Sequence, residues 1–297
     1  YLKQKTMKQY FAPSELIINE DGSVFHLHIK PDQLADKIIL VGDPGRVSML
    51  ASYFDSIECE NSNREFHSIT GVYKGKRISV ISTGIGCDNI DIVLNEIDAL
   101  ANIDCATLET KDSLRALDIV RIGTCGGLQP NTPTGSFICS DKSIGFDGLL
   151  NFYAGRNEVC DLDLEEDFVD YMGWEGNVCQ PHPYVINADK SLVERIGHDM
   201  VHGMTIACGG FFGPQGRKLR IPLADPQQNT KIEQYEYQGM HVTNFEMESS
   251  AVAGLSRLMV HHAVTVCMVI ANRLAKQANT GYKGTMETLV QTVLDRI

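Results

Sequence analysis

Short apolar runs alternate with amphipathic stretches along most of the chain. "DKIILVGD" (36 to 43) reads as a buried strand that runs into a turn, and "GRVSMLASYF" (45 to 54) as the helix after it. "KRISVISTGIG" (76 to 86) is a second strand ending in glycines. In "NIDIVLNEIDALANI" (89 to 103), Ile90, Val93, Leu94, Ile97 and Leu100 recur with the helical period. "LDIVRIGTCGG" (117 to 127), "GSFICSDKSIG" (135 to 145), "HGMTIACGG" (202 to 210) and "AVTVCMVIANR" (263 to 273) read as further strands. "HVTNFEME" (241 to 248) leads into a helix through Ser256, and "TMETLVQTVLDRI" (285 to 297) is an amphipathic helix. This alternation predicts an α/β fold around a mostly buried sheet. No linker, low-complexity tract or repeat interrupts it, which favours one domain. Residues 150 to 190, with the acid-rich "CDLDLEEDF", are less regular and read as an excursion.

Composition narrows the function classes. A net charge of -12 argues against a broad nucleic-acid or acidic-membrane surface, although a pocket can still be locally basic. Nine cysteines are scattered, with no Cys-x-x-Cys pair and no His/Cys cluster at zinc spacing. Reduced core thiols in a cytoplasmic protein are the expectation, with no metal site. No stretch is long and apolar enough to span a bilayer, and none resembles a signal peptide. The polar "YLKQKT" before Met7 is set aside from the fold.

Useful polar residues gather where strands end: Gly42-Asp43-Pro44-Gly45-Arg46, Thr83-Gly84-Ile85-Gly86 and Arg121-Ile122-Gly123-Thr124. Ligands of open α/β sheets bind at such ends. "STGIGCDN" lacks the third glycine of a dinucleotide fingerprint, and no P-loop is present. Glycines at these ends serve first as turn formers. Paired with Arg46, Arg121 and Thr124, they also offer N–H groups, guanidinium forks and a hydroxyl to a phosphate-sized anion. Arg121 sits inside an apolar strand and needs an anionic partner, either a carboxylate of the fold or a ligand.

"NFEMESSAVAG" (244 to 254) places Glu246 and Glu248 at the mouth of a small, apolar segment. A strand would point both to one face; a helix would splay them by roughly 200°. If the strand ends near Glu248, its carboxylate suits vicinal hydroxyls such as those of ribose. The alternative is structural, with either acid pairing an arginine or capping a helix at 249. In "FFGPQGRKLR" (211 to 220), Phe211 and Phe212 offer a stacking face, and Gln215 with Arg217 offers the donors and acceptor that a cyclic imide requires.

With these pieces in order, the chain resembles the nucleoside phosphorylases of the uridine phosphorylase type. The carriers are "VFHLHI", "LVGDPGR", "NREF", "STGIGCDN", "RIGTCGGLQP", "GPQGR", "NFEMESS" and "ANR", in family order with compatible spacing. The resemblance implies an α/β single domain over 23 to 297, after an N-terminal extension of 1 to 22, built on a mixed, barrel-like sheet flanked by helices. It implies reversible phosphorolysis of a pyrimidine nucleoside to free base and ribose 1-phosphate, as in pyrimidine salvage. Family members of this type are usually hexamers, trimers of dimers whose sites borrow residues from a neighbour.

Residue by residue, the resemblance implies a phosphate cradle of Gly42, Arg46, Arg121 and Thr124. Arg64 reaches the phosphate of the neighbouring subunit, and His26 crosses to the ribose 5′-hydroxyl. Glu248 binds the ribose hydroxyls above Met247, and Glu246 supports it. Phe211 lies against the base, Gln215 and Arg217 read its edge, and Arg273 helps hold that part of the site. Catalysis is implied to rest on Arg121, Glu248 and Arg273. No cofactor is implied beyond phosphate as co-substrate. Some relatives hold a monovalent cation at the dimer interface, where Glu65, Ile85 and Asn89 stand here, Asn89 replacing a serine. Relatives acting on purines carry an aspartate near the end of "VIANR", where this chain has Asn272 and Arg273. Two departures are Cys125, where a hydroxyl or small residue is commoner, and the glycine-rich "ACGGFFGP". The competing readings are a purine nucleoside phosphorylase, a nucleosidase using water, and a catalytically idle nucleoside-binding protein.

Overall fold

The computed structural model describes residues 8–176, 182–272, 274–278 and 281–297. The chain divides into two compact units, residues 1–84 with 91–119 and residues 85–90 with 120–297.

In the first unit, β1 (Lys37–Val41) is buried after its first residue. Helix α1 (Pro44–Ala51) follows at once, because Pro44 fixes the entry and Asp43 caps it, accepting the Gly45 N–H at 2.9 Å. Strands β2 (Ser56–Asn63), β3 (Phe66–Tyr73) and β4 (Lys76–Ser82) form an antiparallel meander, and β4 then runs parallel to β1. Neither β2 nor β3 was expected. "SIECENSN" is largely exposed along β2, so no buried face writes an alternation into its sequence. Helix α2 (Cys87–Asn102) has the apolar side that its period predicts: Ile90, Val93, Leu94, Ile97 and Leu100 are all fully buried. A short ladder of β5 (Ile103–Asp104) and β6 (Glu109–Thr110) follows, and Tyr10 bridges to Glu109.

The second unit holds a closed, mixed barrel. Its walls are β7 (Asp118–Gly127), β8 (Phe137–Gly145), β10 (Val201–Ala207), β12 (Met240–Glu246) and β13 (His262–Asn272), in the order β7, β13, β8, β10, β12. The ring closes where β12 pairs antiparallel with β7, Asn244 opposite Gly127 and Phe245 opposite Gly126. Short strands β9 (Tyr184–Asn187), β11 (Glu236–Tyr237) and β14 (Gln277–Ala278) extend β8, β12 and β13. The helices are α3 (Arg156–Val159), α4 (Leu162–Met172), α5 (Lys190–Ile196), α6 (Gln228–Gln234), α7 (Ser249–Leu258) and α8 (Lys283–Arg296). The fold class is therefore the one the sequence predicts, α/β with a mixed barrel-like sheet.

The acid-rich stretch corrects one expectation. It is a regular helix, α4, capped by Asp161. Its buried acid Glu165 takes two guanidinium N–H groups of Arg156, at 2.9 and 3.0 Å, and the Val185 N–H at 3.0 Å. Phe168 of the same helix packs edge-on to Trp174 and Tyr235. The acids are solvated or paired, and the apolar residues between them carry the packing.

Candidate active site

The backbone changes course between Glu246 and Glu248. Strand β12 ends at Glu246, and Glu248 is the N-cap residue of α7. Both side chains are nevertheless almost fully buried, at 3% and 4% exposure. Glu246 holds the helix start: its carboxylate accepts the N–H groups of Glu248 (2.9 Å) and Ser249 (2.9 and 3.0 Å) and the Ser249 hydroxyl (2.6 Å). It thus satisfies donors that a helix leaves orphaned.

Arg121 of β7 answers both acids. Its Nη1 lies 3.2 Å from Glu246 Oε2, and its Nη2 donates to Glu248 Oε2. The other oxygen of Glu248 accepts the Gly86 N–H at 2.7 Å. Burial opposes the arginine's charge, but Glu248 and Glu246 together hold the guanidinium firmly protonated, above its ordinary range. Burial raises the Glu246 carboxyl; Arg121 and Ser249 pull against that, and Glu248 adds to it. The sequence left the partner of Arg121 open between a carboxylate and a ligand; here the carboxylates of the fold take two of its nitrogens. Its Nε is buried and has no hydrogen-bond partner among the described residues.

Gly123 corrects a second expectation. It does not form a turn but lies inside β7, where an added Cβ would overlap Arg121 Nη1 and approach Cys267 Sγ to 3.0 Å. The missing side chain is the space into which the guanidinium folds. Thr124 follows in the same strand, only partly buried. Met247, between the two acids, accepts the Cys87 thiol through its carbonyl at 3.1 Å. Burial, with Asp147, Glu246 and Glu248 nearby, pushes that thiol well above its usual range, so it is no nucleophile here.

A second cluster gathers the predicted base-reading residues. Arg217 donates to the Gln215 side-chain oxygen and to the Phe211 carbonyl (2.6 Å), and its guanidinium lies 3.7 Å above the Phe211 ring. Gln215 is 2% exposed, whereas Phe211 and Phe212 are about half exposed, at 48% and 51%. Gly126 of β7 stands beside this pair, since a Cβ there would lie 3.8 Å from Arg217 Nη2. Asn272 is buried and committed: its amide donates to the carbonyls of Gln129 (3.1 Å) and Thr132 (2.8 Å), and its oxygen accepts the Ala275 N–H (2.9 Å). Arg273 lies outside the described residues.

The remaining predicted residues belong to the first unit. Gly42 opens the turn between β1 and α1, where a Cβ would come within 3.3 Å of the Gly84 carbonyl, and Arg46 sits in the first turn of α1. Arg64 is exposed at the tip of the β2–β3 hairpin in the left-handed region, φ 55°. His26 is held by a residue that sequence reading missed. Glu96 of α2 accepts the backbone N–H groups of His26 and Leu27 and bonds the His26 Nδ1 at 2.7 Å. A lone acid on the apolar side of a helix was the available signal. Asp147 was missed too. It accepts the hydroxyls of Tyr184 (2.8 Å) and Ser250 (2.7 Å), beside the start of α7. Of the residues at the positions of a possible cation, Asn89 donates weakly to the Ile85 carbonyl at 3.5 Å.

A buried arginine held by two glutamates, and a glutamine–arginine pair on an aromatic ring, are two polar clusters that this α/β barrel offers to a substrate. The model of the phosphorylase superfamily matches residues 36–295, and the chain belongs to that superfamily of enzymes. A uridine phosphorylase of Thermococcus kodakarensis is 27% identical over 271 residues, 91% of this chain and 85% of its own. The crystal structure of a Trypanosoma brucei nucleoside phosphorylase, described as showing uridine phosphorylase activity, superposes with a TM-score of 0.85 at 31% identity, covering 95% of this chain and 98% of that one. A DeoD-type purine nucleoside phosphorylase of Thermoanaerobacter is 36% identical, but over only 36% of this chain and 40% of its own.

Proposed function

We propose that the protein catalyses the reversible phosphorolysis of uridine, or a close pyrimidine nucleoside, to uracil and ribose 1-phosphate. The observation that carries this reading is Arg121. Its guanidinium is buried, charged and fixed by two glutamates, and it keeps one N–H without a partner among the described residues. Phosphate oxygen is the natural acceptor for that donor. Gly42, Arg46 and Thr124, with Arg64 from a neighbouring subunit, complete the cradle in this reading. Glu248 turns its carboxylate to the ribose hydroxyls above Met247, and His26, oriented by Glu96, serves the 5′-hydroxyl of a neighbour's site.

The chemistry follows from charge. The C1′–N1 bond lengthens first, leaving positive charge on the ribose and the electron pair on uracil. Phosphate, held beneath C1′, stabilises that charge and then forms the new C1′–O bond. Gln215 and Arg217 donate to the uracil as its negative charge grows, Phe211 lies against its face, and Arg273 supports that end. Each such fixed donor contributes on the order of 10²-fold in rate. At the position where purine-acting relatives carry an aspartate, Asn272 has its amide committed to backbone groups and offers no proton for a purine N7. This supports a pyrimidine substrate.

The chemistry draws on phosphate and on no organic cofactor. We place the protein in the cytoplasm, in pyrimidine salvage, as a hexamer built from dimers. All the described cysteines are free thiols, and among the described residues no helix is long and apolar enough to cross a membrane. The test is uracil release from uridine, followed by absorbance with and without phosphate, beside an inosine control. Phosphate-dependent release with inosine inert is the expected result. Release without phosphate would mean a nucleosidase, turnover of inosine would discard the base assignment, and binding without turnover would leave an idle nucleoside binder.

A further inference from the structure

Strands β8 and β10 run parallel, with His202 opposite Cys139. The period of two along β8 puts Asp141 on the same face as Cys139. One donor atom from each of Cys139, Asp141 and His202 lies within 4.8 Å of the other two. Cys139 is buried, Asp141 half-buried and His202 exposed, so the cluster reaches solvent through the imidazole. Gly197, after α5, lets the backbone close over it; a Cβ there would meet the Cys139 Cβ at 2.6 Å. The residues stand far apart in sequence, which is why a search for closely spaced Cys and His passes over them.

Both ring nitrogens of His202 face oxygen. Nδ1 lies 2.8 Å from Asp141 Oδ1, and Nε2 lies 3.0 Å from the Gly197 carbonyl. A neutral imidazole carries one N–H. The carbonyl has no proton to give, so Nε2–H faces it. That leaves the Nδ1 lone pair against a carboxylate oxygen, an arrangement that needs a cation between them. A proton serves, and so does a metal. Ligating histidines characteristically donate their other N–H to a carbonyl or carboxylate in this way. The thiol decides between the two: sulfur adds nothing to an Asp–His ion pair, but Zn²⁺ takes thiolate, imidazole and carboxylate together.

We propose that Cys139, Asp141 and His202 form a site for a zinc-like divalent cation, bound through the Cys139 sulfur, an Asp141 oxygen and His202 Nδ1, with its fourth position open to solvent. Zinc bond lengths place tetrahedral donors about 3.5 Å apart, so on binding the Asp141–His202 contact, 2.8 Å without metal, opens by about half an ångström to admit the ion while the Cys139 sulfur moves into bonding distance. The Cys139 S–H proton passes to solvent as the metal–sulfur bond forms. Burial, with Asp141 and Cys267 nearby, otherwise pushes this thiol up to about 12 and keeps it protonated. The ion braces two walls of the barrel.

The test is a titration of the whole, metal-stripped protein with Co²⁺, read by absorbance. The expected result is a thiolate-to-cobalt charge-transfer band that saturates at one ion per chain. It should vanish in Cys139→Ser and shift to at least ~10-fold weaker binding in His202→Asn. Absence of a saturating band overturns the site, as does a band that survives Cys139→Ser. If Cys139→Ser fails to fold by circular dichroism, the exposed His202→Asn decides, and wild-type affinity there overturns the site equally.

Discussion

Glu246 and Glu248 part company because a strand ends on the first and a helix begins after the second. One is spent on the N–H groups of α7, and the other divides its two oxygens between Arg121 and the Gly86 N–H. The sequence showed that two acids stood at a buried mouth, and it named both a structural and a ligand role. Which acid would hold the start of the helix depended on where the strand stopped, a matter of one or two residues that periodicity cannot place. Gly123 was misread for a related reason: a glycine near a strand end looks like a turn, and nothing local reveals that an arginine two residues earlier folds back over it. That packing makes a prediction. Gly123→Ala should displace the Arg121 guanidinium and lower kcat/KM for phosphate by about 10²-fold. The steric cost to stability should be about 1–3 kcal/mol. Steady-state kinetics beside urea denaturation separates the two effects, and unchanged phosphate kinetics would remove Arg121 from the cradle. Gln215→Ala should instead spare the KM for phosphate but lower kcat/KM for uridine by about 10²-fold, and so erode the preference for uridine over inosine, measured as the ratio of their kcat/KM values.

The elements that were legible are the buried ones. β1, β7, β8 and β13 are almost wholly inaccessible, so long apolar runs spell them out. The β2–β3 hairpin was not legible, because β2 meets water along most of its length. Helix α8 was visible through its apolar stripe, and Met286, Leu289, Val290, Val293 and Leu294 are indeed buried. Its end is pinned by a contact that no pattern shows. Arg296 donates to both oxygens of Asp199, at 2.6 and 2.7 Å, and to the Ile196 carbonyl at 2.7 Å. Hydrogen bonding to Arg296 holds the Asp199 carboxyl down at about 2, below its ordinary 3.8. A depressed carboxyl contributes stability above its unfolded value and loses it as pH falls through the folded one. Asp199 is more than half exposed, so water screens the pair and limits the effect to about 1 kcal/mol or less. Asp199→Asn should therefore unfold at lower urea than wild type at pH 6, and the gap should close as pH falls from 3.8 toward about 2. A gap that persists at the acid end would mean the carboxylate's charge is not what holds α8.

At the scale of the molecule, the assembly is what a single chain's sequence expresses least directly. Arg64 and His26 carry roles only if a second subunit receives them, and that expectation came from resemblance, not from any pattern. It can be tested without a structure of the complex. Arg64→Ala and Glu248→Gln should each be nearly inactive alone. Refolded together, they should recover activity above either parent, because a mixed dimer holds one site with a native arginine and a native glutamate. No recovery would place Arg64 outside the neighbour's site. The barrel's own closure carries a further consequence. Arg121 and Glu248 stand 127 residues apart, and they meet across the seam where β12 joins β7. Such distant partners meet late, since each long loop must be closed before its contacts repay the lost freedom. A growing chain can therefore hold nearly all its helices and still be chemically silent. Turnover waits both for the ring to shut and for a second subunit to dock, so the first molecule of uracil released reports a chain that has closed its barrel and found its neighbour.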